Sequence, residues 1–241
     1  MKVTICGGGG IGASIAYFLS RRGVEVSVVE RTGVANGASG KSGGFLALDW
    51  CDGSDLAPLA RRSFELHGTL AESLGRGWGY RRVETLGVVA STRRDVSGYR
   101  KLPSPDWLAD EAAVHGRLGT PASTAQIDPA AFTNAMMSAA IDGGATLIEG
   151  CVEGMAFSPG GNEVTGAIVD GATLWSDAVV IAMGPWSMLA CQWLPLGPTH
   201  GLKGHSLVFD YAPSPESLFV ELETDDGEIS SPEINPRPDG T

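Results

Sequence analysis

A glycine-rich turn near the N-terminus is the first feature of the sequence that could carry chemistry. Its letters fit the pattern GxGxxG, with Gly7, Gly9 and Gly12 at the fixed positions. The first glycine of this pattern permits a tight turn, the second lets a pyrophosphate approach the backbone, and the third lets the following helix pack on the strand. The helix N-terminus would add unpaired N–H groups and a partial positive charge. The turn therefore predicts a dinucleotide site that includes Gly7, Gly9, Gly10, Ile11 and Gly12.

An acidic residue follows the turn at the distance that a bound ribose requires. Glu30 ends the next apolar segment, close to the spacing of about 20 residues that is typical of this pattern. Its carboxylate can accept hydrogen bonds from ribose hydroxyls, and it would repel a 2′-phosphate, which disfavours NADP. NAD and FAD satisfy the turn and Glu30 equally well. The choice between them has to come from the rest of the chain.

These residues need a βαβ unit to position them, and the hydrophobic pattern predicts one. Val3 to Cys6 and Val24 to Val29 are predicted strands on either side of a helix from Ile11 to Arg22, which stops at Gly23. A region containing Pro103, Pro105 and Pro121 is expected to be irregular, and the acidic stretch after residue 222 to be a solvated hairpin or edge. The same pattern predicts helices over 56–74 and 130–141, and strands over 83–91, 145–148, 152–157, 164–169, 173–175, 178–182, 204–211 and 218–222.

Four segments make the sequence similar to a known family. Glu30-Arg31 followed by ASGKSGG at 38–44 resembles the second flavin contact of the D-amino-acid oxidase superfamily, which includes glycine oxidase and sarcosine oxidase. GCV at 150–152 resembles the family segment whose valine backbone meets the adenine, and AMGPWSML at 182–189 matches the family pattern AxGxWxxxL. LKGHS at 202–206 resembles the return into the family's substrate domain. The sequence of 41–50 is most similar to a plant and fungal branch of the family.

This resemblance implies FAD as the cofactor and an α/β fold. The expected architecture is a doubly wound, Rossmann-like FAD-binding domain of residues 1–44 and 122–199, interleaved with an incomplete antiparallel substrate-domain sheet of residues 45–121 and 200–241. The implied reaction is oxidation of a C–N bond in an amino acid or secondary amine, with hydride passing to the flavin. Beyond the glycine turn and Glu30, the implied FAD contacts are Arg31, Ser39, Gly40, Lys41, Ser42, Gly43, Gly44, Val152, Gly184 and Trp186.

Catalytic residues are not identified by the sequence. Lys41 could stabilise negative charge on the reduced flavin, or it could equally be a solvated loop lysine. Lys203 and His205 are the titratable groups nearest to the expected domain crossing, but each is expected to be structural before it is catalytic. The remaining histidines have no ligand-like spacing, so we predict no metal site.

Composition argues against nucleic-acid and membrane partners. The net charge is −11, and residues 210–241 hold nine acidic residues against one basic residue. Phosphate backbones need a basic surface, and no Lys/Arg cluster here is longer than a pair. No charged n-region with an apolar h-region follows Met1 and no apolar run is long enough to cross a bilayer, so we expect neither a signal peptide nor a membrane span. The four cysteines form no CxxC pair and are expected to be free thiols, which favours a cytoplasmic compartment.

The last residues raise a question about completeness. The run from Asn235 to Thr241 has strong turn signals, but the sequence stops where a return strand should begin. Members of the resembled family continue beyond this point, so we expect a C-terminally truncated chain. Two alternatives to the FAD enzyme therefore stay open: a non-catalytic dinucleotide-fold module and an NAD-dependent dehydrogenase. The sequence does not indicate an oligomeric state.

Overall fold

The computed structural model describes residues 1–211 and 214–240. Within these residues the helices are α1 (Gly10–Ser20), α2 (Ala57–Leu74) and α3 (Pro129–Asp142), and short 3₁₀ segments cover Ala38–Gly40, Ser97–Tyr99 and Gly184–Gln192. The strands are β1 (Lys2–Cys6), β2 (Glu25–Glu30), β3 (Phe45–Ala47), β4 (Arg81–Arg82), β5 (Thr85–Ser91), β6 (Ala112–Gly119), β7 (Thr124–Gln126), β8 (Thr146–Glu149), β9 (Val152–Phe157), β10 (Val164–Val169), β11 (Ala172–Trp175), β12 (Ala178–Ile181), β13 (Ser217–Glu223), β14 (Ile229–Ser230) and β15 (Glu233–Ile234).

The chain divides into two compact units, each built from two separate segments. Unit 1 comprises Met1–Ser42 and Pro129–Ser206, and unit 2 comprises Gly43–Asp128 and the described residues from Leu207 onward. The expected boundaries were 44/45, 121/122 and 199/200, whereas the units change at 42/43, 128/129 and 206/207. The second boundary lies later than expected because β7, at 124–126, pairs with β3 and β4 and so belongs to unit 2. The assignment of the two units to cofactor and substrate remains a prediction.

A four-stranded parallel sheet in the order β12-β1-β2-β8 forms the centre of unit 1. Its central strands are buried, with Ile5 and Val28 fully inaccessible to solvent. Small residues on α1, including Ala13 and Ala16, are also buried, which allows a helix to approach closely. The mixture of parallel and antiparallel sheets confirms the predicted α/β class, and the predicted βαβ unit is present with its bounds shifted by one or two residues.

A three-stranded antiparallel meander, β11-β10-β9, completes unit 1. Met155 of β9 and Ala167 of β10 are buried against Cys6 at the end of β1. Burial raises the pKa of the Cys6 thiol to about 12, as expected for a cysteine that serves as a small hydrophobe. The meander therefore covers the carboxyl end of β1, next to the glycine turn.

Unit 2 contains two sheets. The larger has the order β14-β13-β5-β6, with β15 also paired to β13, and the smaller has the order β3-β7-β4. In the larger sheet β13 runs parallel to β5, whereas β6, β14 and β15 pair antiparallel. Phe45 of β3 lies against Trp50 and Phe219, with ring centroids 4.9 Å away in each case, and this contact anchors the apolar segment at 45–48.

Two expectations about strands were wrong. The segment 204–211 is not a strand, and its apolar side chains are exposed, with Leu207 at 83% and Phe209 at 67%. An alternating pattern forms a strand only where a partner supplies hydrogen bonds, and none of the described strands pairs with this segment. Conversely, β6 lies within the region expected to be irregular, because β5 provides a partner for it. Thr241, the end of the predicted terminal turn, lies outside the described residues.

No helix among the described residues is long and apolar enough to span a bilayer. No group of three or more His, Cys, Asp or Glu side chains among them is arranged to hold a metal ion.

Candidate functional site

The glycine turn joins β1 to α1 with very close backbone approaches. Gly7 has φ +112°, and a Cβ there would lie 2.3 Å from the carbonyl oxygen of Ala182, just after β12. A Cβ on Gly12 would lie 1.9 Å from the carbonyl oxygen of Gly7. Any side chain at either position would collide with backbone. Glycine at these positions therefore keeps the N-terminus of α1 close to the ends of β1 and β12.

A cavity of about 340 Å³ opens beside this turn. It lies at the carboxyl ends of β1, β2, β8 and β12, which is where open parallel sheets bind ligands. Its volume is within the range of small-molecule sites. Ile11 at the start of α1 is 70% exposed and lines the cavity instead of joining the core. The turn is therefore not blocked by the protein's own side chains.

Glu30 connects the end of β2 to the glycine turn. Its Oε2 accepts a hydrogen bond from Gly8 N at 2.7 Å, and its Oε1 accepts one from Thr32 N at 2.9 Å. Burial favours the neutral carboxyl, but the hydrogen bonds from Thr32 and Gly8 together outweigh burial and lower the pKa of Glu30 below its ordinary value of 4.5. The carboxylate thus faces the cavity in its charged form at neutral pH, with its orientation fixed by two backbone groups.

Ser39 caps the N-terminus of α1 from a separate loop. Its Oγ accepts a hydrogen bond from Gly10 N at 2.8 Å. A hydroxyl that accepts one hydrogen bond still has its own hydrogen to donate. Ser39 lines the cavity together with Gly9 and Gly10. The hydroxyl of Ser39 and the N-terminus of α1 therefore lie side by side in the cavity wall.

Arg31 and Trp186 lie against each other on the cavity wall. The Cζ atom of Arg31 is 5.2 Å from the centroid of the Trp186 ring, within the range of a cation–π contact. Arg31 follows β2, and Trp186 lies in the 3₁₀ segment that follows β12. Residues that are distant in the sequence are thus brought together at this edge of the sheet.

The predicted site residues divide into those that line the cavity and those that do not. The lining set comprises Gly7, Gly9, Gly10, Ile11, Glu30, Arg31, Ser39, Val152, Gly184 and Trp186. Gly12 and Gly40 instead make close backbone contacts, with Gly7 and Ala35 respectively. Lys41 and Ser42 are exposed in unit 1, and Gly43 and Gly44 belong to unit 2. Lys203 and His205 are exposed in a segment of unit 1 without regular secondary structure.

Several lining residues were not predicted. Asn36 and Thr32 line the cavity, and Asn36 Nδ2 donates to Thr32 O at 2.6 Å, which closes the loop after β2. Nothing in the local sequence distinguishes these residues from an ordinary polar turn. Met183 and Leu189 also line the cavity, and the AxGxWxxxL match could have indicated them because it places the whole segment at the end of a strand.

Comparison with known protein families agrees with the residues that line this cavity. The profile of the family described as FAD dependent oxidoreductase (DAO) matches residues 2–235. The chain belongs to the DAO family of FAD-dependent oxidoreductases. This match confirms the predicted oxidoreductase class. It also makes the cavity at the glycine turn the first candidate for a cofactor site.

Three relatives show the range of the DAO-family similarity. A candidate oxidoreductase of Schizosaccharomyces pombe is 29% identical over 99% of this chain and 68% of its own length. Glycine oxidase of Geobacillus kaustophilus is 29% identical over 77% of this chain and 55% of its own length. The crystal structure of glycine oxidase from Bacillus cereus superposes with a TM-score of 0.68 at 22% identity, covering 98% of this chain and 71% of that chain. This structural likeness shows the fold.

Proposed function

We propose that unit 1 binds FAD in the cavity at the glycine turn, and that the protein oxidises the C–N bond of an amino acid or secondary amine. One observation carries the cofactor proposal. The glycine turn, the N-terminus of α1 and the Glu30 carboxylate all border one open cavity. The helix N-terminus favours a diphosphate, and the carboxylate suits a ribose, which is the combination that an adenine dinucleotide requires.

The diphosphate would lie at Gly9, Gly10 and Ser39. A Cβ on Gly9 would meet only Ser39 Oγ, at 3.2 Å, so the space beside this backbone is otherwise open to a ligand. The Ser39 hydroxyl can donate to a phosphate oxygen while it accepts from Gly10 N. The partial positive charge of the α1 N-terminus adds to this attraction.

The ribose would lie at Glu30 and the adenine near Val152. Each carboxylate oxygen has two lone-pair sites. Oε1 accepts from both the N–H and the hydroxyl of Thr32, whereas Oε2, which accepts from Gly8 N, keeps a site for a ribose hydroxyl. A 2′-phosphate would meet the negative charge of Glu30, which supports FAD or NAD over NADP. Val152 lines the same cavity from the start of β9.

FAD is favoured over NAD by the family to which the chain belongs and by the segments that line the cavity. Ala38 and Ser39, together with 182–187, line the cavity. These segments would have no role in an NAD-dependent dehydrogenase. When bound, FAD supplies the hydride acceptor. The residues of this chain would bind it, orient it and exclude water.

The proposed substrate class follows from the relatives. Glycine oxidase is among them in both sequence and structure, so a small amino acid or secondary amine is the substrate class that we propose. Unit 2 is the proposed substrate domain. The chain spans about two thirds of one relative and just over half of another, and the activity of a whole protein of this kind is therefore part of the proposal. We assign no catalytic role to Lys41, Lys203 or His205, which are all exposed.

The cofactor proposal can be tested on the purified chain. After incubation with FAD and removal of free ligand, the protein fraction should carry flavin bands in the visible spectrum. Gly9→Ala should weaken FAD binding by about tenfold or more, because its methyl group occupies the space of a phosphate. Gly98→Ala is the matched control, since a Cβ there meets nothing within 4 Å. Tight NADH binding without FAD binding would instead support the dehydrogenase.

The reaction is tested separately with the FAD-loaded chain. A panel of glycine, D- and L-amino acids and N-methylated amino acids should bleach the flavin bands in the absence of oxygen if the C–N bond is oxidised. Stable FAD binding without bleaching by any member of the panel would support the non-catalytic module.

A further inference from the structure

We infer that Trp186 is a positioning residue that holds the Arg31 guanidinium beside the cavity, ready to meet the negative charge of the cofactor's diphosphate. The inference deepens the proposed function and rests on it. Arg31 and Trp186 both line the cavity, and their cation–π distance is 5.2 Å. The indole is 45% exposed and lies beside Gly37, where a Cβ would be 3.4 Å from Trp186 Cζ3.

The charges of the cavity wall give Arg31 its importance. Among the lining residues, which are all described, Arg31 is the only Lys, Arg or His, and Glu30 is the only Asp or Glu. A dinucleotide brings two negative charges on its diphosphate, next to the charge of Glu30. The helix N-terminus contributes only about half an elementary charge. Arg31 is therefore the side-chain cation that offsets this excess.

Competing partners for Arg31 lie close by. Arg31 also lines a second cavity together with Glu149 and Asp170. Within the described residues, Arg31 nevertheless makes no ion pair with either carboxylate. The Asp170 carboxylate instead accepts a hydrogen bond from Cys151 N at 3.1 Å. Without the indole, we expect Arg31 to turn toward Glu149 and Asp170 and to leave the first cavity.

A guanidinium that contacts the face of an aromatic ring remains able to bind phosphate. Its N–H donors lie in the plane of the group, whereas the contact with an aromatic ring uses the face. Trp186 can therefore hold Arg31 without using the donors that recognise a phosphate. Since cation–π strength decreases from Trp to Tyr and Phe, other aromatic residues should substitute in part.

A double-mutant cycle on FAD affinity tests this inference. Equilibrium dialysis at low salt should give a Kd about twofold to fivefold higher for Trp186→Leu than for the parent chain, the size of an exposed cation–π contact. Trp186→Phe should recover most of this loss. In an Arg31→Gln background, Trp186→Leu should change the Kd no further. Arg31→Gln should also reduce the weakening of FAD binding by added salt.

Each other outcome has a distinct meaning. An equal loss from Trp186→Leu in both backgrounds would mean that the indole contacts the cofactor itself, and an unchanged Kd in the single variant would mean that Arg31 is held by other groups. Either result overturns the inference and leaves the proposed function intact. A parent chain that does not bind FAD would refute the proposed function, and the inference with it.

Discussion

The Glu30 carboxylate accepts a hydrogen bond from the backbone N–H of Gly8 at 2.7 Å. This bond joins the acidic end of β2 to the glycine turn after β1, so the proposed ribose contact and the proposed phosphate site share one structural support. A change at Glu30 should therefore affect both the turn and the ligand.

Replacement of Glu30 should separate its charge from its acceptor role. Glu30→Lys should weaken FAD binding strongly, because a lysine side chain cannot accept hydrogen bonds from ribose hydroxyls or from Gly8 N. Glu30→Gln keeps one acceptor oxygen and should cost about 1 kcal/mol of binding free energy or somewhat more. Equilibrium dialysis measures both, with Glu163→Gln, an exposed site on another turn, as the control. FAD affinity that is unchanged in Glu30→Lys would remove the ribose assignment.

The stability of the protein should depend on the ionisation of Glu30. Its pKa is lowered in the folded state, so the carboxylate contributes stability above its ordinary value of 4.5, and this contribution is lost as the pH falls through the folded-state pKa. The difference in free energy of unfolding between the wild type and Glu30→Gln should have its full value at pH 7 and should decrease below pH 4.5. Urea titrations at several pH values measure it. A difference that stays constant down to pH 3 would contradict this prediction.

Gly12→Ala should damage the fold itself. The new Cβ would lie 1.9 Å from the carbonyl oxygen of Gly7, and backbone cannot yield as a flexible side chain can. We expect a loss of about 3 kcal/mol or more in the free energy of unfolding, at the upper end of overpacking effects. Gly116→Ala in β6, where a Cβ meets nothing within 4 Å, should be close to neutral by the same urea titration. Equal stability of the two variants would show that α1 can move away from the turn.

Cys6 should be the least reactive thiol of the native protein. It is fully buried and burial raises its pKa to about 12, whereas Cys51, Cys151 and Cys191 are partly exposed. Iodoacetamide at pH 8 should therefore label these three before Cys6, as read by mass spectrometry of peptides. All four should react in guanidinium chloride. Native labelling of Cys6 as fast as Cys191 would indicate that the end of β1 opens readily.

Local patterns predicted the elements that local interactions determine. The βαβ unit was predictable because β1 and β2 are short segments rich in Val and Ile and because the glycine turn has few alternative conformations. The same is true of β9 and β10, whose predicted and observed bounds are identical. For the candidate site, the turn and Glu30 could be placed from their spacing, whereas the segment at 182–189 could be placed only from its resemblance to the family pattern.

The features that sequence reasoning missed depend on distant partners. β6 exists because β5 pairs with it, and the segment at 204–211 is not a strand because it has no partner among the described strands. The hydrogen bond from Gly10 N to Ser39 and the cation–π contact between Arg31 and Trp186 also join segments that are far apart in the sequence. Neither contact leaves a pattern within one window of the chain.

The parallel pairing of β13 with β5 has a consequence for how the protein is made. β5 is synthesised early, but Ser217–Glu223, which pairs along its whole length, leaves the ribosome only after all of unit 1 has been translated. During that interval one edge of β5 has no neighbour, and such an edge invites pairing with other chains. Newly made protein should therefore depend most on chaperones while the segment between these two strands is emerging.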